Sequence, residues 1–209
     1  MKGRTSTNYI DICSKLWLSG ITGVTINPKK AGTLGDRVID LLDTETGIEI
    51  KNRNKRYNAQ WTFDEKQRTH YRRDNPTQTL VWAFILYELS MPIRRIRRGR
   101  ITFLERQMQH RNVWFLPWST FDKAEVHPGQ KYDYIYTRLK EFPSYTQFRE
   151  YTTPDGAKLY LPEGKEGDHL EERLRRAKST SSSSSSLPSG LRLLGSSGRP
   201  AYSRRNHPQ

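Results

Sequence analysis

A single cysteine, Cys13, stands among 209 residues, which excludes an internal disulfide and any cysteine-ligated zinc or iron–sulfur site within one chain. Set among Ile12, Leu16 and Trp17 in a stretch of helical spacing, it is expected to be a buried core thiol. Long apolar runs are also missing. None approaches the roughly 18 residues of a transmembrane helix, and the first residues lack the apolar core of a signal peptide. A soluble intracellular protein of the cytoplasm or nucleoid is expected, with no membrane partner. The third shortage is of acid: 22 Asp and Glu face 36 Lys and Arg, for a formal charge of +14. Such a balance favours a polyanionic partner, nucleic acid before a membrane surface, because neutralising phosphates releases counterions. The length suits one domain with a sizeable core rather than two.

What is there begins with residues 35–51, which read as a β-hairpin. Two runs rich in β-branched and aliphatic residues flank the polar segment 44–47, which ends in Gly47. With an even-numbered loop over 44–47, Leu42 stands opposite Glu49 and Asp40 opposite Lys51. Strand side chains alternate faces, so Asp40, Glu49 and Lys51 share one face and Ile39, Leu41, Ile48 and Ile50 the other. Asp36 has the parity of Asp40 but sits about 13 Å farther along at about 3.3 Å per residue, so Asp40 is preferred.

Two carboxylates and an ammonium on one face suit metal-assisted phosphodiester cleavage. Mg²⁺ takes oxygen ligands and keeps several waters, so one or two protein carboxylates suffice to hold it. The ion polarises a phosphate oxygen and acidifies a water, while a nearby lysine orients that water or balances developing negative charge. The same alternation also describes a half-exposed strand with cross-strand ion pairs.

Around the hairpin, helical spacing predicts a helix over 7–19 stopped by Gly20, followed by a β-branched first strand over 21–26. Residues 52–58 read as a solvated basic loop. A second helix is expected over 59–73, with Phe63, Lys66, Gln67, His70 and Tyr71 on one stripe and Asn75-Pro76 ending it. The apolar run 79–87 reads as a strand buried on both faces, and 113–116 as another. Trp82 and Trp114 are expected in the core. Residues 122–162 are aromatic and weakly periodic, and should close the domain with short helices and strands; 168–178 suits a short charged helix. Six serines from Ser181, then Pro, Gly, Ser and Arg, cannot bury enough apolar surface to fold. The expected division is therefore a domain over 1–178 and a disordered basic tail over 179–209.

Asp40 followed by Glu49-Ile50-Lys51 on the next strand resembles the catalytic signature of the PD-(D/E)XK nuclease superfamily. Gln67 and Tyr71, as Gln-x-x-x-Tyr on the following helix, resemble the motif of its RecB-like branch. The resemblance covers roughly residues 7–90. It implies an α/β fold with a restriction-endonuclease-like core: helix, three-stranded meander, helix and strand, here with a C-terminal extension. It also implies a Mg²⁺-dependent deoxyribonuclease, Mn²⁺ being a substitute, that hydrolyses DNA as an endonuclease or an exonuclease. Asp40, Glu49 and the Ile50 carbonyl would bind metal, Lys51 would assist the attacking water, and Gln67 and Tyr71 would position the scissile strand. The sequence departs from the pattern in lacking the proline that often precedes the motif aspartate, and Asp11 is the one acidic residue offered by the first helix. Phosphate contacts are expected from Arg53, Lys55 and Arg68 and from the basic run holding Arg94, Arg95, Arg97 and Arg98. DNA is the expected partner before RNA, with a homodimer left open. The alternative is a non-catalytic nucleic-acid-binding protein using the same basic surface.

Overall fold

The computed structural model describes residues 6–28, 38–55, 60–90, 108–130, 133–142 and 147–183. Among these the chain is mixed α/β, with three α-helices and nine strands in two sheets. At the centre lies β4 (Thr79–Leu89), the expected apolar strand, with residues 80–87 all buried. On one side it pairs in parallel with β2 (Thr46–Asn54), which in turn pairs antiparallel with the short β1 (Leu41–Leu42). On the other side it pairs antiparallel with β5 (Met108–Pro117), which contains the predicted strand 113–116. Then come β9 (Lys158–Pro162), parallel to β5, and β8 (Phe148–Thr152) at the edge.

Two helices cover one face of this sheet. They are α1 (Ser6–Thr22) and α3 (Lys165–Ser183). Trp17 and Leu18 of α1 and Leu170 and Leu174 of α3 pack against Leu41, Ile48, Ile50, Val81 and Phe115. Full burial of each large aliphatic side chain contributes about 1.5–3 kcal/mol. Arg173 of α3 grips the hairpin turn through Asp43 and through Glu45 Oε2 at 3.0 Å, and His169 Nε2 lies 2.6 Å from Thr46 Oγ1. The opposite face carries an aromatic layer of Phe63, Trp82, Phe84, Trp114 and Trp118, with Trp82 and Trp118 stacked at 4.1 Å. Over it lie α2 (Glu65–Asp74) and a second, antiparallel sheet in the order β3 (Gln60–Asp64), β7 (Tyr134–Arg138), β6 (Val126–His127). Trp82 and Trp114 are core residues as expected, and Cys13 is buried at 1% exposure.

Several expectations are corrected. The expected first strand does not form: α1 passes Gly20 and takes in its first two residues, ending at Thr22 before Gly23, whose φ of +70° and N–H to Ser19 O bond of 2.9 Å form a left-handed cap. What remains of that strand is an antiparallel bridge between Ile26 and Leu41. The hairpin register differs by two residues. Asp43 Oδ1 accepts from the N–H groups of Glu45 (2.9 Å) and Thr46 (2.8 Å), closing a tight turn in which Leu42 faces Gly47 and Leu41 faces Ile48. Residues 60–64 of the expected second helix are strand β3, with Trp61 and Phe63 inward and Thr62 outward; the helix starts only where Asp64 caps the N–H of Lys66 at 2.9 Å. Strand β2 continues to Asn54 into the expected loop, and α3 extends to Ser183, into the expected tail. Residues 184–209, Asp36 and the basic run with Arg94, Arg95, Arg97 and Arg98 lie outside the described residues. No helix among the described residues is long and apolar enough to cross a membrane.

Candidate active site

Alternation along β2 sends Ile48 and Ile50 towards α1 and α3, and Glu49 and Lys51 towards α2. A carboxylate on that side is buried under the aromatic layer: Glu49 is 1% exposed. Burying it is costly unless a cation accompanies it, and Lys51 supplies one, its Nζ donating to Glu49 Oε1 at 2.7 Å. The same Nζ donates to Gln67 Oε1, also at 2.7 Å, and lies 5.7 Å from the Phe63 ring and 5.8 Å from the Trp82 ring. Gln67 and Tyr71 are one helical turn apart on α2 and both face inward. Gln67 Nε2 donates to the Tyr71 hydroxyl at 3.3 Å. Tyr71, Gln67, Lys51 and Glu49 thus form one chain of hydrogen bonds, in which each partner fixes the next.

Asp40 joins this group from the other side of the strand. Its register neighbour is Glu49 rather than Lys51, since the pairs Leu41–Ile48 and Leu42–Gly47 extend to it. The backbone bends at residues 38 and 40, so Ile39 packs in the aromatic layer rather than with Leu41. Asp40 Oδ2 accepts from the Ile50 N–H at 2.9 Å, and Oδ1 lies 3.0 Å from Lys15 Nζ of α1. Lys15 also bonds Asp11, four residues back on the same helix. Burial opposes the charged form of Lys15, but Asp40 and Asp11 outweigh it and hold its pKa above the ordinary lysine value. Lys15 and Asp11 were not anticipated as partners of Asp40. The available signal was their i, i+4 spacing.

Asp40, Glu49 and the Ile50 carbonyl are the oxygen donors that could hold a hard cation. Asp40 and Glu49 are both buried, at 2% and 1% exposure, on neighbouring chain segments, and they flank Ile50. The N–H and C=O of one strand residue point to the same side, so the Ile50 carbonyl faces the side on which Asp40 sits. Among the described residues no group of three His, Cys, Asp or Glu side chains could hold a metal ion, so the set is two carboxylates and a carbonyl. That suits Mg²⁺, which keeps several waters.

The remaining expected residues divide. Tyr71 is only 1% exposed and packs on Trp118, so it braces Gln67 rather than meeting a nucleic-acid strand. Arg68 is tied into the fold: it donates to Phe121 O (2.7 Å), Asp122 O (3.2 Å) and Glu65 Oε1 (2.9 Å), joining α2 to a 3-10 turn over Trp118–Phe121. Arg53 is exposed near the end of β2. Lys55 is exposed beyond it, with a loose 3.7 Å contact to Glu88. Models of known protein families, curated proteins and solved structures were all compared with the chain, and none matches.

Proposed function

We propose that this protein is a metal-dependent nuclease of the PD-(D/E)XK type that hydrolyses DNA phosphodiester bonds. One observation carries the reading: two motifs 16 residues apart in sequence, Glu-x-Lys and Gln-x-x-x-Tyr, meet at Lys51 Nζ, which is 2.7 Å from both Glu49 and Gln67. Support also comes from the topology. The order of the Ile26 bridge, β1, β2 and then a parallel β4 is compatible with a restriction-endonuclease-like core, and the helix between β2 and β4 brings in Gln67.

Asp40, Glu49 and the Ile50 carbonyl would hold Mg²⁺ or Mn²⁺. Bound there, the cation would supply polarisation of a phosphate oxygen and acidification of a water. The chain does the rest. A lysine ammonium has three N–H donors, and Glu49 and Gln67 occupy two of them; the third is left to orient a water or to meet a phosphate oxygen. The Phe63 and Trp82 rings keep bulk water from the other side of Lys51, which strengthens its field on developing negative charge. Exposed Arg53 and Lys55 lie three and five residues beyond Ile50, where backbone phosphates would approach.

Cleavage of supercoiled plasmid, linear duplex and single-stranded DNA, with Mg²⁺, Mn²⁺ or EDTA, tests this. Metal-dependent cutting that disappears in Lys51→Ala and Glu49→Ala is expected. One observation favours a second reading, a non-catalytic nucleic-acid-binding protein: both carboxylates are already neutralised by lysines, and Asp40 leans towards α1. Salt-sensitive binding without cleavage by either metal would establish that reading instead.

A further inference from the structure

Most aromatic rings among the described residues are buried, but those of Tyr134 and Tyr136 are half-exposed. In the three-stranded sheet, Trp61 and Phe63 of β3 and Ile135 of β7 face inward. Alternation therefore turns Gln60, Thr62, Tyr134, Tyr136 and Arg138 to the outer face. On that face His127 of β6 stands directly opposite Tyr134, with the rings stacked at 5.6 Å and 28°. Tyr136 stands edge-on to His127 at 6.5 Å, and the Arg138 guanidinium lies 5.2 Å over the Tyr136 ring while its Nε donates to the Tyr136 hydroxyl at 2.8 Å. The residue opposite Tyr136 on β3 is Thr62, too short to cover it. The result is a file of His, Tyr, Tyr and Arg, with both tyrosines half-exposed and Arg138 exposed.

We propose that this outer face is a stacking platform for the unpaired bases of single-stranded nucleic acid. Every base has a π-face, so rings and a guanidinium plane in a row bind single strands with little regard to sequence, and duplex bases, already stacked on one another, cannot use them. A chain of net charge +14 supplies the long-range attraction, and Arg138, held by Tyr136, keeps donors for a phosphate. Two of the nearby acidic groups already serve the fold: Asp64 caps α2 and Glu141 accepts from the Arg138 N–H. The platform is continuous with the catalytic region, because β3 runs directly into α2 and Asp64, opposite Tyr134, is three residues before Gln67. The proposal deepens the nuclease reading and rests on its nucleic-acid partner, not on its chemistry: the preferred substrate would carry a single-stranded portion.

The test is fluorescence anisotropy with the full chain in EDTA, using labelled oligo-dT, oligo-rU and a blunt duplex, on wild type, Tyr134→Leu, Tyr136→Leu and Tyr134→Phe. Each Leu variant should weaken single-strand binding by about 5- to 100-fold, given the usual contribution of one stacked base. Duplex binding should hold, and Tyr134→Phe should bind like wild type. The dT and rU arms show whether DNA or RNA is preferred. Binding is read in EDTA, where no cutting occurs, and cutting by wild type is read separately with Mg²⁺, so the two readings fail separately. Equal weakening on duplex and single strand would overturn the proposal. So would unchanged binding with a lowered melting temperature, which would make the rings a cross-strand brace of β6 and β7.

Discussion

Lys15 and Lys51 each hold a buried carboxylate against one side of β2, at similar side-chain exposures of 12% and 13%, yet their surroundings differ. Lys15 sits between two carboxylates, Asp40 and Asp11, and its charge is locked by them. Lys51 has one carboxylate and one neutral amide, with aromatic rings behind it. An ammonium between two anions is a counter-ion; one with a single anion, a neutral partner and an uncommitted donor can interact with a substrate. Under the proposed nuclease function, the α1 side would hold Asp40 in place and the α2 side would carry the chemistry.

Substitution of each lysine should separate the two sides by cleavage rather than by stability. Lys51→Met should lower the cleavage rate by about 10²–10⁴-fold, the range for a positioned acid–base group, and, because it strands the buried Glu49, should also destabilise the fold by about 3–5 kcal/mol. Lys15→Met should change cleavage far less while destabilising the fold by a similar amount, since it strands Asp40 as a buried charge without its partner. Equilibrium urea unfolding reads this. Equal losses of cleavage rate in the two variants would erase the distinction.

The α2 side was the more legible of the two in the sequence. Glu49 and Lys51 follow from the two-residue period of a strand, and Gln67 and Tyr71 from the four-residue step of a helix, so local spacing was enough. Asp40 was expected on the hairpin strand opposite Lys51, but it lies in a bend just before β1, level with Glu49. Its direction is set by Lys15, 25 positions earlier, and by a turn that Asp43 tightens by two residues. The second sheet was not foreseen because β3 pairs with β7, with Gln60 opposite Arg138, and no local pattern encodes such a partner. Trp61 and Phe63 did carry a strand signal, an alternation ended by Asp64, but the helical stripe that Phe63 began was read through it.

Smaller effects sharpen the same contrast. Tyr71→Phe removes the acceptor behind Gln67 and should cost about 1 kcal/mol of stability, with a several-fold loss of cleavage rate, since it acts on Lys51 through Gln67. A second tether of α1 gives a pH signature. Although burial opposes its charged form, Asp155 has a lowered pKa, because Thr153 and Trp17 hydrogen-bond to it and Arg111 lies nearby. A carboxyl lowered in the folded state stabilises above its ordinary value of 3.8 and loses that contribution as pH falls through the lowered value. Thermal melts of wild type should therefore approach those of Asp155→Asn as the solution is acidified below that range, and lie above them near neutrality. The difference should be modest, because the group is half-exposed.

The most direct test of the nuclease assignment is single-turnover cleavage of end-labelled DNA by Lys51→Met and Lys15→Met under conditions where both are folded and saturated with substrate. The account predicts Mg²⁺-dependent cleavage by wild type, a loss of at least about 100-fold in Lys51→Met, and a much smaller change in Lys15→Met. A wild-type protein that binds DNA and leaves it intact with Mg²⁺ and Mn²⁺, or a Lys51→Met variant that cuts at the wild-type rate, would contradict it.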